Sequence, residues 1–506
     1  MTEAGREISV VAQRHPERPA VISDRGTLSF GQLDQQADAL AAHFDSCGLA
    51  AGASLALLST NRPEWLVTYQ AALRSGLRLV PVNWHLEADD VAYMIADSGA
   101  QVVVVEADLV DLVPGDVARV VIGDESFAEV TNGGAHGPRG RPRGTLMIYT
   151  SGTTGRPKGV AHGESTSDGG AVGAAMVAMF GMDGDRGDTM LCPAPLYHSG
   201  PSRLCGEWPL GAGVPVVLMS RFDPREALEL IQRHRITHAF FVPTMFHRML
   251  ALDDRHDYDV SSLRFVLHGA GPCPVATKTS MFDWFGPIIH EIYAASEGPG
   301  TWIGPEEWLA HPGSVGRTDP ERLQIRTDDD GPAPAGVEGA VWFRASAPFR
   351  YHDDPDKTAA TFDADGSWYT VGDRGRIDGD GYLFLTGRTT ECIISGGVNL
   401  YPARIDDVLA LHPALIDGAA FGLPDPELGE VVAAAVVPVD DRRHDVDAVA
   451  AEVVEFCRSH LGRQLTPRVV HVVDQLPRSD AGKLYRRRLV DSFRPSEAIA
   501  PEEATS

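Results

Sequence analysis

A chain of 506 residues, 43% of them hydrophobic, has room for more than one domain around a large core. Its formal net charge of −26 argues against a nucleic-acid-binding surface, because no basic stripe could outweigh it, yet a local cationic pocket for a nucleotide stays compatible. Six scattered cysteines, none in a Cys-x-x-Cys pair, form neither a disulfide framework nor a zinc site.

No apolar leader occupies Met1–Glu7, and runs such as Val214–Met219 and Val431–Val439 are too short to cross a bilayer. The expectation is a cytoplasmic protein without stable membrane insertion.

In chain order, Thr27–Phe30 predicts a short strand, and Leu33, Ala37, Leu40 and Phe44 recur at helical spacing across Gln32–Phe44. Ser54–Leu58 is strand-like, and Pro63 opens a helix that runs to about Gly76. Leu79–Val82, Gln101–Val105 and Arg119–Ile122 add strands, with Val91–Ala96 helical between two of them. Repeated β-α units of this kind imply an α/β fold with a mostly parallel, doubly wound sheet. Thr131–Gly144, rich in Gly, Pro and Arg, reads as an ordered surface connection or a loose linker. Further strands follow at Val214–Met219, His238–Val242 and Phe265–His268, and Thr327–Gly339 leads into a β-rich section. From about Thr389 a smaller α+β unit begins, with Ala403–Leu411 and Val446–His460 helical and Val431–Val439 and Val469–Val473 extended.

Five motifs carry chemistry. Leu146-Met147-Ile148 looks like a strand end, and after Tyr149 come Thr150, Ser151, Gly152, Thr153, Thr154 and Gly155, then Arg156-Pro157-Lys158-Gly159. Glycines let backbone N–H groups approach an anion, the hydroxyls add donors and Lys158 adds a compact charge, so a polyphosphate fits. The spacing is not the Walker pattern. Tyr293-Ala294-Ala295-Ser296-Glu297, just past a strand-like Pro287–His290, offers an aromatic face for a purine and a hydroxyl and carboxylate for phosphate-bound Mg²⁺. Asp373, after a tight Gly372 turn, can accept from both ribose hydroxyls. Arg388 opens a stretch that reaches the Gly396-Gly397 pair, where the lack of side chains would let a narrow ligand pass close to backbone. Lys483 follows Gly482 near the chain end, and Arg486-Arg487-Arg488 reads as a solvated helix face with the 3′-phosphate of CoA as the other option.

These motifs, in this order, closely resemble the adenylate-forming superfamily of acyl-CoA synthetases, luciferases and peptide-synthetase adenylation domains, from about Pro16 to Leu489. The resemblance implies a large N-terminal domain, residues 1–388, of doubly wound sheets plus a small β-barrel, and a mobile α+β lid, residues 389–506. It implies ATP/AMP, Mg²⁺ and coenzyme A as cofactors, a small-molecule carboxylic acid as the partner and no nucleic acid; a homodimer is left open. Two half-reactions follow: a carboxylate attacks the α-phosphate of ATP, and a thiol captures the acyl-adenylate.

By the same resemblance Tyr293 stacks on adenine beside the loop Gly269-Ala270-Gly271, Ser296 meets the α-phosphate and Glu297 serves the metal. Asp373 binds ribose, Arg388 meets ribose or phosphate and Lys483 stabilises the transferring phosphoryl group. His198 stands where many members have an aromatic gate on the acid pocket. Thr390 stands at the hinge, where Asp or Lys is common; Ala294, Ser296 and Val371 are further departures.

The expected activity is an acid–CoA ligase. A carrier-protein-loading enzyme and a non-catalytic nucleotide-binding module are the rivals. Small residues (Gly200, Ser202, Gly206, Gly269, Ala270, Ala294, Ala295) beside Trp208, Phe241, Met245 and Phe246 predict a roomy apolar pocket for a bulky hydrophobic acid, polycyclic before fatty and fatty before aryl. A β-branched, uncharged Thr390 suggests unequal half-reactions, with the thioester-forming lid position favoured and adenylation slow or, in the limit, supplied by another enzyme.

Overall fold

Ser29 and Gln32 set the first long helix. The Ser29 hydroxyl accepts from the Gln32 amide while the Gln32 side chain accepts from the Ser29 amide, a reciprocal cap for two otherwise orphaned donors. The helix Phe30–Ser46 then buries Leu33, Ala37, Leu40 and Phe44, the stripe that the apolar spacing predicts. The next helix, Pro63–Ser75, starts on its proline and stops at Gly76, whose φ is 70°. It is buried along nearly its whole length because it packs against strands of two different sheets. Its Arg74 is tolerated there because Asp34 and Asp38 pair with it.

The computed structural model describes residues 5–150, 157–162, 169–327, 329, 331–345, 349–396, 398–479 and 482–494. Five strands form a parallel sheet in the order Ala118–Ile122, Ala100–Glu106, Ser54–Leu58, Arg78–Val82 and Thr145–Leu146. An eight-stranded sheet runs Gly298–Ile303, Ile289–Ala295, Phe265–His268, His238–Phe241, Met190–Cys192, Val216–Leu218, Pro19–Ser23, Gly26–Ser29, parallel in its interior with an antiparallel hairpin at each edge. Both interiors are apolar on the two faces, as covered parallel sheets require. In the place expected of the small barrel stands a six-stranded antiparallel sheet built between Gly316 and Arg388. No helix among the described residues is long and apolar enough to cross a membrane.

The apolar step at Leu146–Ile148 is two strands rather than one strand end. Leu146 pairs with Leu79 in the parallel sheet, and two residues later Ile148 begins an antiparallel hairpin with Val160. The chain changes sheets at Met147. Upstream, the 131–144 segment is an ordered connection: Arg141 reaches Asp45 and the Leu49 carbonyl, and Arg143 bridges Glu7 and Glu207.

Beyond Arg388, the strands Val398–Leu400, Ile393–Ser395, Gly429–Pro438 and Leu415–Asp425 make a separate sheet, which Val469–Val472 joins in parallel. Helices Ala403–Leu409 and Val446–Leu461 cover one face, around Ile405, Val449 and Val453. Arg486–Phe493 covers the other, around Phe421 and Leu489.

Candidate active site

Three segments meet at one carboxylate. Asp373, 6% exposed, opens the strand Asp373–Ile377 directly opposite Arg388 on its neighbour. Arg388 Nε lies 2.8 Å from its Oδ1, and the Tyr293 hydroxyl donates to its Oδ2 at 2.8 Å. Burial, followed by the Asp373 charge, pushes the Tyr293 hydroxyl well above the ordinary tyrosine value, so it stays a donor. The sequence expectation named all three residues but not their mutual bonding, since Tyr293 and Asp373 lie 80 residues apart.

The element around Tyr293 differs from the expected strand ending at His290. The strand runs Ile289–Ala295 and turns straight back into Gly298–Ile303, so Ser296 and Glu297 form a two-residue hairpin turn. That turn projects both side chains at the sheet edge, while Ala294 is exposed. His162 donates to the Ser296 carbonyl at 2.9 Å, and the Tyr351 hydroxyl donates to Glu297 Oε1 at 2.8 Å. Neither His162 nor Tyr351 was found from the sequence, because neither lies in a motif; both reach the turn from the three-stranded sheet that carries Lys158. Glu297 keeps its second oxygen without a hydrogen bond among the described residues, which suits a single carboxylate ligand to Mg²⁺.

Lys158 begins the strand Lys158–His162 and pairs with Thr150 across the hairpin. Its ammonium lies 3.0 Å from Asp354 Oδ2, and that bond raises its affinity for a proton. The loop residues Ser151, Gly152, Thr153, Thr154 and Gly155 lie outside the described residues, as does Gly397. Two tyrosines steady the hairpin: Tyr149 donates to Asp97 at 2.6 Å and Tyr93 to the Pro157 carbonyl at 3.2 Å.

Gly269, Ala270 and Gly271 follow the strand Phe265–His268. A Cβ on Gly269 would stand 2.7 Å from the Ile292 carbonyl oxygen, so only glycine lets this loop lie against the Tyr293 strand. Ala270 holds φ 69°, a left-handed conformation that costs a non-glycine residue about 1 kcal/mol or more. Beyond Gly271 the space is open.

The C-terminal unit brings Gly482 and Lys483 to the same place. Gly482, φ 72°, is so close to the helix Pro243–Leu250 that a Cβ would stand 2.2 Å from Thr244 Oγ1. Partial enclosure of the Lys483 ammonium, then the Arg388 charge, lower its proton affinity, with Glu391, Asp373 and Glu297 opposing. Lys483 therefore shares a local field with Arg388, Asp373 and Glu297.

Thr390 lies exposed in a short turn, Thr389–Glu391, whose first amide donates to the Gly372 carbonyl at 2.8 Å. Gly396, φ 58°, caps the hairpin between Ile393–Ser395 and Val398–Leu400, flanked by exposed Ile394 and Val398. Arg486 corrects the expectation of a solvated arginine face. Its side chain is 12% exposed, pairs with Asp406 at 2.8 Å and Glu391 at 3.2 Å, and donates to the Ala420 carbonyl. Carboxylates from two other segments converge on it, which local spacing does not encode.

The residues expected around the acid pocket are packed as follows. A Cβ on Gly206 would meet Leu66 at 2.9 Å, Trp208 packs on Gly173, and Ser202, Phe241, Met245 and Phe246 are buried in the core. Gly200 faces Phe240 and Leu204, and His198, its ring 4.5 Å from that of Tyr197, leads into the short helix Ser199–Pro201.

Residues 8–351 match the family model described as AMP-binding enzyme, and residues 404–483 the AMP-binding enzyme C-terminal domain. An indoleacetate–CoA ligase of Aromatoleum aromaticum is 32% identical, covering 96% of this chain and 95% of its own. A feruloyl-CoA synthase of an Amycolatopsis species is 30% identical over 94% and 96%. The solved amide bond synthetase McbA from Marinactinospora thermotolerans superposes with a TM-score of 0.81 at 28% identity, covering 97% and 99%. With two family models in chain order and relatives matched along nearly its whole length, this chain belongs to the AMP-binding enzymes, the adenylate-forming superfamily of the acyl-CoA synthetases.

Proposed function

We propose that the protein is an AMP-forming acid–CoA ligase, with residues 1–388 binding the acid and ATP and residues 389–506 acting as the lid that pivots at Thr390. The observation that carries this reading is the hydrogen-bonded chain Tyr293–Asp373–Arg388 with the charge of Lys483 beside it. Asp373 holds the ribose, Tyr293 lies against the adenine, and Arg388 and Lys483 meet the negative charge that grows on the phosphoryl group as the carboxylate attacks and pyrophosphate leaves. Ser296 and Lys158 serve the phosphates, and Glu297 would hold Mg²⁺, which neutralises phosphate charge when bound. For the second step the lid turns, and the Gly396-Gly397 hairpin guides the thiol to the acyl carbonyl, with AMP as the leaving group. Positioning and exclusion of water suffice for that step.

The acid we infer is hydrophobic. Phe241, Met245 and Phe246, three of the four large side chains expected at the pocket, pack in the core, so arylalkyl acids of the size that the two relatives' names carry are placed ahead of polycyclic ones. The test is acid-dependent pyrophosphate release across a panel of aryl, fatty and polycyclic acids, with mass detection of the CoA thioester. Release from none of them, alongside tight ATP binding, would favour the nucleotide-binding module. A second reading has its own support: the likeness to an amide bond synthetase raises capture of the adenylate by an amine. Matched reactions with CoA and with simple amines separate the two by product mass.

A further inference from the structure

Asp354 ends the turn after the strand Phe349–Tyr351 and caps the helix Pro355–Thr361, its Oδ1 accepting from the Lys357 amide at 3.0 Å. Its other oxygen holds Lys158 at 3.0 Å. The Lys357 side chain turns back over the strand, and its ammonium lies 3.9 Å from the centroid of the Tyr351 ring. Tyr351 is the residue whose hydroxyl fixes Glu297 at 2.8 Å, and it pairs with Val160 on the strand that begins at Lys158.

Lys357 is half-buried, and it makes no ion pair among the described residues. Burial holds its ammonium below the ordinary lysine value; Glu297 and Asp354 oppose that and Lys158 adds to it. A partly desolvated cation that has a ring face but no anion of its own among the described residues, beside a second cation and the candidate metal carboxylate, is an unfinished charge arrangement. A polyanion would complete it. A neighbouring carboxylate alone does not, because Asp354 is already engaged by Lys158 and by the helix cap.

We propose that Lys357 is a second cation of the phosphate site, binding the terminal phosphates of a nucleoside triphosphate alongside Lys158, with Asp354 holding Lys158 in place until those phosphates arrive. The inference rests on the ligase reading, because it takes the substrate to be ATP. It separates Lys357 from Tyr293, Asp373 and Arg388, which serve the nucleoside half that AMP shares.

The test is calorimetric binding of ATP and of AMP to the parent, Lys357→Met and Lys357→Arg, each in the presence of Mg²⁺. Lys357→Met should weaken ATP by about tenfold or more, the effect of losing one charge-assisted contact, leave AMP within about twofold, and be largely restored by Lys357→Arg. Equal weakening of ATP and AMP would overturn the proposal in favour of a purely structural role beneath Tyr351. A parent that binds ATP and a Lys357→Met variant that binds it equally well would overturn this inference alone. A parent that binds neither nucleotide would overturn both this inference and the reading beneath it.

Discussion

Replacing Gly482 by alanine puts a carbon where the lid has no room for one. Two costs arise, and they act differently. The left-handed backbone at φ 72° penalises any side chain by about 1–2 kcal/mol, but the turn carries that strain in either lid position, so it largely cancels from the lid equilibrium. The clash with Thr244 Oγ1 at 2.2 Å and with its Cγ2 at 3.0 Å exists only while the turn is seated on the helix Pro243–Leu250. Overpacking of this kind costs about 1–3 kcal/mol, which converts to roughly a 5- to 150-fold loss of the seated population. Pyrophosphate release from an accepted acid and ATP should fall by that factor in Gly482→Ala, while thioester formation from the matching pre-made adenylate changes little. Thr244→Ala removes the two clashing atoms and leaves Cβ at 3.1 Å, so the double variant should recover most of the loss. Unimpaired pyrophosphate release in Gly482→Ala, or no recovery in the double variant, would refute the seating argument.

Three other outcomes are expected. Asp373→Asn leaves Arg388 without its anion and should weaken AMP at least about tenfold by calorimetry, with Tyr293→Phe costing about threefold to tenfold; unchanged affinities would remove both from the nucleotide site. Arg486→Leu strands Glu391 and Asp406 beside each other and should destabilise the C-terminal unit by about 3 kcal/mol in calorimetric unfolding, with Arg486→Lys recovering only part. Burial lowers His290 from 6.5 to about 4, so the unfolded chain takes up a proton that the folded one refuses as pH falls between those values. Its contribution is complete above pH 6.5 and is lost towards pH 4, so the fall in urea midpoint over that range should be flatter in His290→Phe than in the parent.

Much of this molecule is legible in the chain itself because the determinants are local. The helix Phe30–Ser46 is written in its capping residues and its apolar spacing, and the helix Pro63–Ser75 in a proline at its start and Gly76 at its end. The parallel strands are unbroken apolar runs, and the residues proposed for the nucleotide site lie in short motifs whose chemistry can be read from residue type. What the tertiary structure decided depends on segments meeting from far apart. Tyr293 and Asp373 are bonded because strands of different sheets end at the same place, and Arg486 is buried because two carboxylates from other segments surround it. Gly206 lies against Leu66 of helix Pro63–Ser75 and Trp208 against Gly173, contacts between segments that the local pattern does not join. The close approach of Gly482 to Thr244 likewise joins segments more than two hundred residues apart in the chain. Periodicity and capping act over a few residues, whereas packing rewards whichever distant surfaces fit, and a one-dimensional pattern carries no record of that fit.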